Sequence, residues 1–157
     1  MNKNQQLIEN FYTAFSNQDG QKMADCYHQQ VQFKDPVFGI LERTSAIAMW
    51  NMLLDRSKGN LKIEYYNLSA TDDKGTVTWV ATYNFIKTQR KVVNVIQASF
   101  EFKDGLIYRH TDTFNLWKWS RQAFGIKGLL LGWTSFMQDK IRKQAKMALE
   151  VYESSKK

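Results

Sequence analysis

Leu7, Ile8, Phe11, Ala14 and Phe15 recur at the spacing of one helix face, and the polar run "NQDG" closes that segment. Asp19 is placed to cap a second, short helix that turns Met23, Ala24 and Tyr27 inward. Val31–Lys34 reads as a short strand. After a loop, "VFGILER", Thr44 or Ser45 opens a third helix with Ile47, Trp50 and Leu54 as its buried stripe. The period then changes from about 3.6 to about 2 residues. Leu61–Ala70 alternates, "DDKG" turns, and Thr76–Phe85 alternates again with Val77, Trp79, Ala81, Tyr83 and Phe85 on one side. Val92–Lys103 follows, "KDG" turns, and Leu106–Phe114 closes the set. Long strands joined by short turns pair antiparallel. From Asn115 the pattern is helical once more, interrupted at Gly125, Gly128 and Gly132. Leu130, Trp133, Met137, Ile141, Ala148 and Tyr152 then fall along one side of a long final helix. The pattern predicts an α+β fold: three N-terminal helices against a strongly curved, mostly antiparallel sheet. Residues 1–120 form that domain, and 121–157 a helical extension packed on or beyond it.

Composition narrows the class. At 43% hydrophobic and 14% aromatic, the chain excludes disorder and predicts a core rich in rings. Its one cysteine, Cys26, excludes an internal disulfide; with two histidines, no metal site is expected. There is no Gly-rich phosphate loop, so no cofactor is implied. The N-terminus lacks the apolar run of a signal peptide, and the densest apolar stretch, "GLLLGW", is too short to span a bilayer. A cytoplasmic protein is the expectation. The net charge of +7 is uneven: residues 117–157 hold nine Lys/Arg against three Asp/Glu. Such a segment is either a solvated helix face or an attractor of phosphates, acidic lipids or acidic proteins. Contact with a membrane surface would need the basic residues to oppose the Leu130–Trp133–Met137 side. Basic and aromatic residues form no recognised nucleic-acid motif, and no nucleic acid is expected as a partner.

Candidate chemistry starts at "QFKDPVFG", which holds the only proline. Pro36 pushes Asp35 into extended backbone, fixing the direction of its carboxylate; an Asp-Pro pair also commonly starts a turn. On the last strand Tyr108, His110, Asp112 and Phe114 share one face, and Ile107, Arg109, Thr111 and Thr113 the other. On the strand before it, Val92, Asn94, Ile96, Ala98, Phe100 and Phe102 mark the inward face. His110 and Asp112 therefore point inward, about 7 Å apart at Cα. A buried carboxylate needs partners or open space, so the pair either lines a polar cavity or forms a satisfied structural contact.

The segments "AFSNQDGQKMADCYHQQVQFKDPV" and "ASFEFKDGLIYRHTDTF" resemble the nuclear transport factor 2-like superfamily, over about residues 5–120. Within it the chain looks closest to ketosteroid isomerase and the SnoaL-like polyketide cyclases. The resemblance implies a cone-shaped α+β domain, with Asp35 at the position of the isomerase's general base. It also implies departures: Phe11 stands at the oxyanion tyrosine, Ala98 at the oxyanion aspartate, and Asn51 on or near the supporting tyrosine. Steroid isomerase activity is therefore not expected. Asp112 matches the late-sheet acid of the cyclases and of limonene epoxide hydrolases, although "VIQASFEF" lacks the hydrolases' further Arg and Asp.

Two functions follow. In one, Asp35 or Asp112 removes a proton or activates water, with His110 shuttling or steering it, in an isomerase, cyclase or hydrolase. The small hydrophobic ligand would meet Tyr12, Trp50, Trp79, Tyr83, Asn94, Ala98, Tyr108 and Phe114. In the other, the same pocket holds an apolar ligand without turnover. Val93, Val95 and Gln97 on the outer face suggest a homodimer through the sheet, and the final helix either lids the pocket or reaches a partner chain.

Overall fold

The structure is a computed structural model that describes residues 1–156. Helix α1 (Lys3–Ser16) opens with a capping box: the Asn2 side chain accepts from the Gln5 amide, and the Gln5 side chain accepts from the Asn2 amide. It buries Ile8, Phe11, Tyr12, Ala14 and Phe15. Asp19 caps α2 (Gly20–Asp25), as its position predicts, accepting from Lys22 N at 3.0 Å.

Strand β1 runs Tyr27–Asp35, more than twice the length predicted, so Tyr27 starts a strand rather than ending a helix. It remains buried. The "VFGILER" segment is not a loop: Gly39–Glu42 forms β2, folding back on β1 with Asp35 opposite Gly39. Helix α3 (Arg43–Ser57) follows without a break and buries Ala46, Met49, Trp50, Met52 and Leu54.

The meander is β3 (Lys62–Ala70), β4 (Lys74–Asn84), β5 (Lys91–Lys103) and β6 (Leu106–Thr113). The six-stranded sheet has the order β2-β1-β6-β5-β4-β3, antiparallel throughout except where β1 lies parallel to β6. That one parallel pairing sets the end of the "FKDP" segment beside the last strand. Strands β5 and β6 join through Asp104-Gly105, both with positive φ, the conformation a two-residue hairpin loop requires.

A bulge corrects one predicted face. Between Glu101 and Phe102 the register slips: Phe102 pairs with Ile107, while Glu101 pairs with Arg109. Ile107, expected outward, is therefore fully buried. Tyr108, expected inward, lies under the Arg109 guanidinium, 3.9 Å from its ring centroid, with the Lys103 ammonium at 5.0 Å. Beyond the bulge His110 and Asp112 face inward, as predicted.

The C-terminal segment makes three helices: α4 (Leu116–Phe124), α5 (Ile126–Leu131) and α6 (Ser135–Ser155), with Asn115 and Thr134 capping the first and last. Residue 120, the predicted boundary, falls inside α4. Helix α6 packs against α3, and Tyr152 Oη donates to Asp55 at 2.5 Å. Met137, Ile141 and Leu149 are buried on it. Leu130 and Trp133 precede α6 and stand exposed, so the predicted buried side begins only at Met137. Gly128 does not break a helix. It lies inside α5 against the Ser120 carbonyl, where a Cβ would collide.

Candidate active site

Asp35 ends β1, and its Oδ1 accepts from the amides of Val37 at 2.9 Å and Phe38 at 2.6 Å. The turn reading and the mounted-carboxylate reading are thus both true: one oxygen caps the Pro36 turn, and the residue lines a cavity. In the β1–β6 register Phe33 faces His110 and Lys34 faces Thr111. Continued by one step, that register brings Asp35 next to Asp112, and both line the same cavity. Burial pushes the Asp35 carboxyl up to about 6. The amides of Phe38 and Val37 pull it down, while the Asp112 charge adds to the rise.

Asp112 is held from behind by a hydrogen-bond chain. Trp50 Nε1 donates to Tyr27 Oη at 2.9 Å, and Tyr27 Oη stands 2.8 Å from His110 Nδ1. His110 Nε2 reaches Asp112 Oδ1 at 3.0 Å, and Trp79 Nε1 donates to the same oxygen at 3.3 Å. One proton arrangement satisfies every member. Tyr27 donates to Nδ1, His110 carries its proton on Nε2, and Oδ1 accepts twice. The cage is aromatic: the His110 ring lies within 4.5 to 6.1 Å of Phe11, Tyr27, Phe33, Trp50 and Phe100.

The cavity in front of the two carboxylates has a volume of about 800 Å³. Trp50, Trp79, Tyr83, Asn94 and Phe114 line it with Asp35 and Asp112. Tyr12, Ala98 and His110 are buried in the layer behind this wall instead. The Tyr12 ring fills the space between Tyr65 and Trp79, and burial raises its phenol well above the ordinary value. Tyr108 is on the far side of the sheet, displaced by the bulge.

Sequence reasoning missed Tyr27, because the polar run "HQQ" after it hides the start of β1. It also missed Trp119, whose Nε1 donates to Tyr83 Oη at 2.7 Å; the final helix, expected either to lid the pocket or to reach a partner chain, lines the cavity through Ile141, Gln144, Ala145 and Ala148. The helical stripe carried that last signal: Ile141, Ala145 and Ala148 follow one another on a single face.

The sequence profile of the SnoaL-like domain family matches residues 8–110, two thirds of the chain. The chain belongs to the SnoaL-like domain family. Its fold has the nuclear transport factor 2-like architecture that solved structures share. The SnoaL-like chain is similar to Bal32a from a soil-derived mobile gene cassette, at TM-score 0.69 and 17% identity, covering 77% of this chain and 96% of that one. It is also similar to a candidate polyketide cyclase from Xanthomonas campestris pv. campestris, at TM-score 0.62 and 19% identity, covering 77% and 96%. An LEH-like epoxide hydrolase from M. tuberculosis aligns at TM-score 0.58 and 19% identity, covering 83% and 91%. A comparison with curated proteins finds no match. At these identities the structural likeness establishes the fold alone.

Proposed function

We propose that this SnoaL-like protein is a cofactor-independent enzyme that moves a proton on a small hydrophobic molecule. Asp35 is the general base and Asp112 the second carboxyl of the site. The supporting observation is the pair of neighbouring carboxylates on the wall of an aromatic-lined cavity, one of them raised to about 6. A base with that value is largely ionised at neutral pH yet far more basic than an ordinary carboxylate. Asp35 takes a proton from an acidic carbon or from a water molecule. Asp112, fixed by His110 and Trp79, orients the substrate or the product of that transfer. His110 touches no part of the cavity, so it is a positioning residue rather than a shuttle. The isomerase pattern remains unsupported: Phe11 and Ala98 offer no donor, and Asn51 turns toward Gly20. Ala98 nevertheless pairs with Asp112 across β5 and β6, so a carboxyl absent from one strand stands on the next.

Two probe classes test this reading: apolar ketones in heavy water, read by NMR for deuterium entering beside the carbonyl, and apolar epoxides, read for diol. Wild type turns over one class, and Asp35→Asn loses at least about 10² in rate. Binding of both classes by wild type and by an Asp35→Asn/Asp112→Asn variant, with neither class altered, overturns catalysis. That outcome supports the second reading, a ligand-binding protein. One observation favours it: each carboxylate already has an oxygen engaged by two protein donors.

A further inference from the structure

The link from α4 into α6, "GIKGLLLGWTSF", turns its large apolar side chains outward. Ile126 is 75% exposed, Leu130 62%, Trp133 68% and Phe136 80%. The cause lies in how α5 is fastened: its one buried residue is Gly128, which allows the helix to lie against the Ser120 backbone. Anchored by its smallest residue, α5 leaves its leucines unpartnered. On α6 the exposed face continues the pattern, since Phe136, Lys140, Lys143, Met147 and Val151 fall within an arc of about 80° at 100° per residue. Met147 and Val151 are also exposed.

Cations stand among these groups, not opposite the Leu130–Trp133–Met137 side as the sequence reading required: Met137 is buried, and the lysines flank the exposed apolar tip, where their long stems lie along it and their ammonium groups reach the headgroup level. Lys127, Lys140 and Lys143 have no carboxylate partner among the described residues, and the nearby Asp139 is taken by Arg142 at 3.1 Å. An exposed tryptophan and phenylalanine beside aliphatic side chains and unpaired lysines match a bilayer interface, where rings and aliphatics enter the acyl boundary and ammonium groups meet anionic headgroups. A second copy of the chain fits less well, because symmetric pairing of this patch would oppose like charges. We propose that the α5–α6 surface, with Ile126, Leu130, Trp133 and Phe136 as its apolar tip and Lys127, Lys140 and Lys143 as its cations, docks on an anionic phospholipid membrane. No helix among the described residues is long and apolar enough to cross a membrane, so the contact is shallow. The surface adjoins the cavity rim, because Phe124, two residues before Ile126, lines the cavity.

The test is co-sedimentation of the full chain with vesicles of phosphatidylcholine alone, and with vesicles in which roughly a third of the lipid is phosphatidylserine. The protein pellets with the anionic vesicles, and added salt releases it. Leu130→Ser/Trp133→Ser and Lys127→Glu/Lys140→Glu each weaken association by about tenfold or more while melting like wild type. Failure to pellet, or equal pelleting with neutral vesicles, overturns the proposal. So does self-association by light scattering that both variants abolish, which would assign the patch to a second copy.

Discussion

Asp35 sits where opposing influences meet: burial disfavours its charge, and two backbone amides favour it. Because its folded value of about 6 lies above the ordinary 3.8, the native state holds the proton more tightly than the unfolded chain between those pH values. Its contribution to stability is complete below the ordinary value and is lost as pH rises through about 6. Asp35→Asn removes that penalty and leaves the protein about 1–2 kcal/mol more stable than wild type near neutral pH, with the difference vanishing in acid. Urea melts at the two pH values measure it. If Asp35 is the base, as proposed, turnover in wild type falls as pH drops below about 6 and its carboxylate becomes protonated, which a pH–rate profile reads. His110 acts differently. His110→Phe strips Tyr27 of its acceptor and Asp112 of a donor, and lowers stability by about 1–3 kcal/mol in the same melts.

At the scale of elements, legibility followed whether a signal was local. Strands β4 and β5 read clearly because Val77, Trp79 and Ala81, then Ile96, Ala98 and Phe100, recur at every second position and are buried. Asp35 was legible through the adjacent proline, and Asp112 through its strand face. The β6 bulge was not, since its extra residue is defined only against the partner strand, and Tyr108 moved out of the site as a result. Tyr27 escaped because the early part of β1 is polar. Gly128 read as a breaker because sequence cannot distinguish a glycine that ends a helix from one that lets two backbones touch. Gly128→Ala forces α5 off the Ser120 carbonyl, with an expected loss of about 1–3 kcal/mol, read as a lowered melting temperature.

For the molecule as a whole, the sheet's outer face and the C-terminal helix decide what surrounds the site. Past Thr113, where β6 ends, Gln122 of α4 accepts from the Val93 amide at 2.8 Å and covers that edge of β5. Val93 and Val95 themselves stay exposed on the outer face. We propose that two copies pair there. Sedimentation equilibrium then gives a dimer for wild type and a monomer for Val95→Glu, whose added carboxylates would be desolvated in the interface. An unchanged mass for the two proteins would rule out this surface.

Arg142 Nε donates to the Pro36 carbonyl at 2.8 Å, tying α6 to the turn that presents Asp35. The two carboxylates therefore lie on the segment that matches the family or directly beside it, while one wall of their cavity comes from a tail beyond the matched segment. Natural variation in Ile141, Gln144, Ala145 and Ala148 could retune which molecules are admitted without disturbing the acids. Exchanging this helix between relatives should then transfer ligand selectivity while the two carboxylates stay where they are.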